Sequence, residues 1–540
     1  MYALMLKYEL QKSQIVMGGN RMILHIAEPY LWLPVNKKNP EVKLHFYFNG
    51  NKFQEVDIQL GGTDGDFYTS MDVSEYLNQN IEIKGDISQD MFYNIFCYKE
   101  KVQNVYPFRP QIHFAPEIGW HNDPNGLIYA DGVYHLYYQW NPYGVIWGNM
   151  HWGHAVSKDL IKWEHKPMVM EPDQYGTIYS GCGWQDKDNI AGFGENTLLF
   201  FYTASGGCNQ WSIDAHNQHT QRLAISTDGG ETLQRIDGTI LPHIAGGNRD
   251  PKIFYHKKSN AYIMVLFLDE YEFAIFRSAD LIHWEETQRF SAEKMRECPD
   301  LFELAVDNST DERKWVFWSA DGYYLVGDFD GYRFTPQSEV LCAYSTIMAY
   351  AAQTYAGVED RVISVAWLRL ANDRGNYRGL MSIPTELSLL KTNNGYKLRF
   401  RLPKELLAYR QLCKEMKKNE KTFNAVLNGK PAEITLNWKA QKTGYTKLLI
   451  GDTAVTVNFD KGNIEYVNPQ IYTETITVPF DNNESLDLDF IIDQEVIEFW
   501  GNGGVICGAV ETEENILRKE IVIESTAEIE SMRLYEIITE

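Results

Sequence analysis

The chain has 540 residues, of which 73 are Asp or Glu and 50 are Lys or Arg, for a formal charge of −23. An acidic chain with no Lys/Arg-rich run does not suit a nucleic-acid backbone or an anionic membrane surface, both of which need basic faces. Aromatic residues make up 14%, which excludes disordered, collagen-like and coiled-coil chains and favours a β-rich protein able to stack rings on a flat ligand.

The length implies more than one core, since a single core rarely grows past about 300 residues. Residues 1–104 read as an N-terminal β-rich accessory region, with strand-like stretches MILHIAEPYLWL, VKLHFYFNG and KFQEVDIQL. The opening MYALMLKYELQKSQ has no basic segment leading into a long apolar core, and no apolar run in the chain is long enough for a bilayer. Cys97, Cys182, Cys208, Cys298, Cys342, Cys413 and Cys507 are widely spaced and form no CxxC pair. Reduced thiols and a cytoplasmic protein are therefore expected.

Residues 105–402 carry short strands rich in β-branched and aromatic residues: VYHLYYQW, TLLFFYTA, AYIMVLFL, KWVFWSA and RVISVAWL, punctuated by Gly, Asp, Asn and Pro. An internal echo runs through them. SKDLIKW (157–163) returns as SADLIHW (278–284), and STDGGETL (226–233) opens the same way. One Ser-Asp turn per unit of several tens of residues predicts a propeller of four-stranded blades with insertions. Residues 403–421 have helical spacing and a basic end, which predicts a linker helix opened by Pro403. Residues 422–540 return to alternating strands (EITLNW, AVTVNF, LDLDFIIDQEVIEFW), read as a C-terminal β-sandwich.

Three acidic motifs fall in the central region: WHNDPNG (120–126), NRDP (248–251) and ECPD (297–300). Asp-Pro-Asn-Gly by itself is an excellent turn sequence. The set of three, on strands that converge in a propeller, makes Asp123, Asp250 and Glu297 candidates for one acidic pocket. HWGH (151–154) with His121 is a poor metal site, because histidines three apart on a strand face opposite sides. Trp152 is expected in the core and Trp147 in a pocket wall. DFDGYRF (328–334) lacks the donor positions of a calcium loop and reads as a β-turn. Cys298 is expected to pack under Glu297.

These motifs, with PEIGWHNDPNGLIYADGVYHLYYQWNP, WGNMHWGHAVSKDLIKW, YSGCGW, NRDPKIF, ECPDLF, YAAQTY and RGLMSIPTELSL, resemble glycoside hydrolase family 32, the β-fructosidases (invertases, inulinases, levanases). The resemblance runs from about residue 106 to the C-terminus and implies an all-β chain: a five-bladed β-propeller followed by a β-sandwich. By motif it implies Asp123 as nucleophile, Glu297 as general acid/base and Asp250 as transition-state stabiliser. Asn122, Gln139, Trp147, Ser180, Arg249, Tyr350 and Trp367 stand where the family lines its fructose subsite.

The implied reaction is a retaining double displacement on fructans or small fructosides, with no cofactor and no metal. Such chemistry needs one carboxylate to attack and one carboxyl to protonate the leaving oxygen, about 5–5.5 Å apart. Arg249 is expected to favour the ionised form of neighbouring carboxylates. A fructosyltransferase or endo-fructanase would use the same three groups, and a non-catalytic fructan-binding propeller would lack one of them. RGLMSIP resembles inulinases and levanases more than sucrose-6-phosphate hydrolases. Thr385 departs from the family, which usually has Arg there, and the N-terminal hundred residues lie outside the usual core.

Overall fold

The computed structural model describes residues 15–17, 20–103, 106–309, 311–416 and 420–539. The reading of residues 1–14 falls outside them. Within the N-terminal region, strands Ile15–Met17, Arg21–His25, Asn80–Gly85, Val42–Phe48 and Asn51–Ile58 form one sheet. Phe67–Asp72, Tyr30–Val35 and Phe96–Tyr98 form a second. Alternation sets the inward face: Met22 and Leu24 on one strand and Leu44 and Phe46 on another are buried, and they meet Leu31 and Leu33 in one core.

Five antiparallel sheets follow and form the propeller. Their first strands are Gly119–Ala130, Thr177–Asp186, Arg249–His256, Asp300–Ala305 and Ala349–Thr354. The first strands of blades one, two and three, and of blades five and one, run side by side. Strand Tyr377–Arg378 pairs in parallel with Gly119 and Trp120 and stitches the ring closed between blades five and one.

Blade faces explain the aromatic excess. In Thr197–Ser205, the second strand of blade two, every residue is buried. Phe200 packs toward blade one with Tyr137 and Trp152, whereas Phe201 packs toward blade three with Met264, Leu266 and Phe276. A strand covered on both faces needs a continuous apolar run, not an alternating one.

The echoed turns close the third strands. Asp159 Oδ1 accepts from the backbone N–H of Ile161 (3.0 Å) and Lys162 (2.8 Å), and Asp280 Oδ1 does the same for Ile282 (3.0 Å) and His283 (2.8 Å). Asp228 Oδ1 accepts from Thr232 N–H at 3.1 Å. DFDGYRF is the equivalent turn of blade four, where Asp330 Oδ1 accepts from Tyr332 and Arg333 N–H at 2.8 and 2.7 Å. DFDGYRF is thus a β-turn, as expected, and a further copy of the echo.

The expected linker helix over 403–421 is corrected. Only Lys404–Leu407 is helical, and Arg410–Glu415 is a strand paired with Ile529–Ile537 in the C-terminal sandwich; residues 417–419 lie outside the described residues. Main-chain pairing along a sheet edge outweighs the weak helical preference of this segment. The sandwich therefore begins before residue 422, with two six-stranded sheets. At its junction with the propeller, His113 is buried between Asp493 Oδ2 (3.0 Å from Nδ1) and Glu498 Oε1 (2.8 Å from Nε2). Among the described residues no helix is long and apolar enough to cross a membrane.

Candidate active site

The DPNG sequence does not form a turn. It lies inside the first strand of blade one, and the hairpin that follows is made by Asp131 and Gly132, both at positive φ (50° and 84°). Gly126 is needed for space as well as for its φ of 54°: a Cβ there would stand 2.7 Å from the Tyr137 ring.

Register breaks aim the functional side chains. Asn122 and Asp123 oppose one residue, Gln139, between the pairs Trp140–His121 and Tyr138–Pro124. Tyr179 and Ser180 oppose Thr203, Asp250 and Pro251 oppose Leu266, and Ala351 and Ala352 oppose Ala366. Each is a bulge, which turns the chain and re-aims a side chain. Asp250 (φ 64°), Glu297 (54°), Cys298 (40°) and Ala351 (51°) have left-handed backbones. Such conformations cost on the order of 1–3 kcal/mol each and cluster at functional sites.

The result is one cavity of about 400 Å³ lined by Asn122, Asp123, Gln139, Trp147, Ser180, Arg249, Asp250, Glu297, Tyr350 and Trp367, together with Tyr179 and His219. All ten residues singled out in the sequence meet there. Tyr179 and His219 were missed. Tyr179 precedes Ser180 in YSGCGW, so the bulge could have pointed to it, whereas His219 carries no local signal.

Asp123 Oδ2 accepts a 2.6 Å hydrogen bond from Ser180 Oγ, and Asp123 Oδ1 accepts one from Asn122 Nδ2 at 3.0 Å. Burial pushes the Asp123 carboxyl up, and these donors oppose the shift. Glu297 faces the cavity, with Oε1 accepting from Arg249 Nη2 and Oε2 from Tyr350 O–H, both at 2.7 Å. Trp367 packs edge-to-face on Tyr350 and on Trp120.

Asp250 is buried, and its Oδ2 accepts from Cys298 N–H at 3.0 Å. Burial pushes Asp250 up to about 7; Arg249 opposes this, and neighbouring Asp123 adds to it. Arg249, whose Nε stands 3.7 Å away, favours the ionised form of Asp250 in the expected direction, but desolvation outweighs it.

Cys298 does more than pack under Glu297. Its sulfur lies 3.4 Å from Asp123 Oδ2 and 3.5 Å from Asp250 Oδ2, so it bridges the other two carboxylates. Donor atoms of Asp123, Asp250 and Cys298 lie within 4.8 Å of one another. Burial and these carboxylates push the Cys298 thiol far up, which keeps it neutral and a weak metal ligand. His151 and His154 are buried in the first blade, and the His154 Nε2 meets His135 Nδ1 at 3.1 Å.

Residues 113–401, the whole propeller, match the family model described as glycosyl hydrolases family 32 N-terminal domain. The chain belongs to glycosyl hydrolase family 32. Among other members, a levanase from Bacillus subtilis is 34% identical over 451 residues, covering 74% of this chain and 65% of the levanase. An extracellular exo-inulinase from Aspergillus niger is 28% identical over 479 residues, covering 74% of this chain and 88% of that protein. The chain thus spans about two thirds of the levanase's length.

Among solved structures, a fructofuranosidase variant from Schwanniomyces occidentalis complexed with fructosylnystose superposes with a TM-score of 0.71 at 25% identity. That match covers 82% of this chain and 99% of the other. The exo-inulinase of Aspergillus awamori, at 24% identity and a TM-score of 0.72, shares the fold over 81% of this chain. The family 32 fold is thus an all-β propeller and sandwich here as in those proteins.

Proposed function

We propose that this family 32 protein is a retaining exo-β-fructosidase that releases fructose from the ends of fructans and from sucrose. The observation that carries the reading is the meeting of Asp123, Asp250 and Glu297 in one small cavity. At about 400 Å³ it lies near the lower end of ligand pockets, about 300–1,000 Å³, a volume suited to a chain-end sugar. Relatives named levanase and exo-inulinase support the same substrate class.

In this reading an Asp123 oxygen attacks the anomeric carbon of the fructosyl unit while the bond to the leaving oxygen breaks. Glu297 donates its proton to that oxygen. A water then attacks the anomeric carbon, Glu297 takes the water's proton, and the bond to Asp123 breaks, which releases fructose and restores both carboxyls. Arg249 and Tyr350 hold the Glu297 carboxyl from both sides, which fixes its orientation. Asp250 is placed to accept hydrogen bonds from fructose hydroxyls that strengthen in the transition state. Asn122, Gln139, Ser180 and Trp367 shape the sugar's seat, and half-exposed Trp147 stands at the cavity mouth, beyond that seat.

The test is a product profile on sucrose, inulin and levan with the unmodified protein, Asp123→Asn and Glu297→Gln. Fructose as the sole product released from chain ends, with loss of turnover in both near-isosteric variants, is the expected result. Oligosaccharide ladders would mean endo action, and fructosylated acceptors would mean transfer. Full activity in either variant, or binding without turnover in the unmodified protein, would overturn the reading.

A further inference from the structure

The N-terminal sandwich touches the propeller at the segments that border the mouth of the cavity. One is residues 142–150, between strands Val133–Asn141 and His151–Ser157, which carries Trp147 with 53% of its surface exposed. Asn149 Oδ1 accepts from Asp57 N–H at 2.8 Å, and Asn149 Nδ2 donates to Asp57 O at 2.7 Å. One side chain thus mimics a strand neighbour of the N-terminal sheet. Thr69 Oγ donates to Pro142 O at 2.5 Å, and Tyr143 is fully buried among the N-terminal core residues. Asn141 ties the segment to itself through Ile146 O, Tyr143 N–H and Asn149 Nδ2.

The second segment is 206–219, which ends at His219 in the cavity wall. Buried Glu55 accepts the N–H of Gln210 at 2.7 Å, and Lys52 stands over the Trp211 ring at 5.6 Å. Between the two segments runs a chain of rings. Trp147 meets Tyr179 edge-on at 6.1 Å, and Tyr179 meets His219 edge-on at 5.8 Å. Ser205 Oγ contacts His219 Nε2 at 3.0 Å. Both ends of this aromatic rim are therefore held by the same accessory module.

We propose that the N-terminal sandwich positions the leaving-group side of the pocket, with Asn149 as the principal positioning residue acting through Trp147. The proposal rests on the exo-fructosidase reading. A half-exposed indole on a loop has no fixed plane unless its backbone is fixed, and only a fixed plane offers a sugar ring a stacking face without an ordering cost at binding. The ligand class concerned is the part of a fructoside beyond the scissile bond, a second sugar ring or longer. A methyl fructoside has no such part and does not reach the rim.

The test uses the full chain and two substrates, methyl β-fructofuranoside and a fructosyl-fructose oligosaccharide. Asn149→Ala removes both bonds to Asp57 and the one to Asn141 Oδ1, and leaves Tyr143 buried. Its expected effect is a KM for the oligosaccharide raised about tenfold, the scale of one or two lost hydrogen bonds, with kcat and the methyl fructoside KM within about twofold. In a Trp147→Ala background the Asn149→Ala change is expected to add nothing, because the ring it positions is gone. Equal KM changes on both substrates, an unchanged oligosaccharide KM, or additive effects of the two substitutions would each overturn the proposal. Absence of fructose release by the unmodified protein from either substrate would overturn the underlying reading as well, so the two failures are distinguishable.

Discussion

Arg249 donates to Glu297 Oε1 at 2.7 Å through Nη2 while its own backbone neighbour, Asp250, lies 3.7 Å from Nε. The guanidinium thus spans two of the three carboxylates, and it is held in place by donating from Nη1 to Gly247 O at 2.7 Å and by the Phe267 ring, 4.7 Å from Cζ. Neither neighbour on the strand supplies this geometry; the Asp250–Pro251 bulge turns the side chain into the cavity.

Arg249→Lys keeps the charge and loses the planar fork. A charge-assisted hydrogen bond is worth about 1.5–3 kcal/mol, so kcat/KM on sucrose is expected to fall by about ten- to a hundredfold. Steady-state kinetics check this, with circular dichroism to show an unchanged fold. A variant within twofold of the unmodified protein would remove Arg249 from the catalytic arrangement.

Asp250 makes stability depend on pH. Its carboxyl titrates near 3.8 in the unfolded chain and near 7 in the folded one. Between these values the folded state holds a proton that the unfolded state has released, so its contribution is fully present below about pH 3.8 and is lost as pH rises toward 7. Asp250→Asn is expected to flatten the fall in Tm across that window relative to the unmodified protein. Parallel Tm curves from pH 4 to 7.5 would contradict it.

The propeller–sandwich junction has a window of its own. Asp493 and Glu498 raise His113 from 6.5 to about 9 against the opposing effect of burial. The folded pKa lies above the unfolded one, so this contribution is complete below about pH 6.5 and is lost as pH rises through 9. His113→Asn should lower stability at pH 6 and reduce the difference from the unmodified protein by pH 10. Denaturant titrations at both pH values read it, and an equal difference at both would refute the charged His113.

Phe200→Ala tests the blade interface. The ring is fully buried between blades one and two against Tyr137 and Trp152. Such truncations cost about 3–5 kcal/mol, and the expected outcome is a lower Tm with unchanged KM in the surviving folded fraction. A loss below about 1 kcal/mol would mean that the interface closes over the gap.

Much of this protein is legible as a string of residues. The echo SKDLIKW/SADLIHW marks third-strand turns because Ser-Asp pairs hydrogen-bond to backbone only two or three residues away. WHNDPNG, NRDP and ECPD point to the three carboxylates as a set, through their resemblance to family 32, although most of the partners of those carboxylates lie far away in the chain. Where a contact is local, the residues themselves specify it.

Other features arise from contacts far apart in the chain. DPNG reads as a turn, and only its pairing with Val133–Asn141 makes it a bulged strand. The segment 410–415 reads as helix, and pairing with Ile529–Ile537 makes it a strand. Asp250 stands beside an arginine, yet its proton affinity is governed by burial under residues from other blades. His219 carries no motif, and WGNM contains Asn149 without showing its distant partner Asp57. Local hydrogen-bonding preference determined the blade turns and the motif set marked the carboxylates, whereas desolvation and long-range pairing, which exist only in the folded chain, decided the proton affinity of Asp250 and the walls of the cavity.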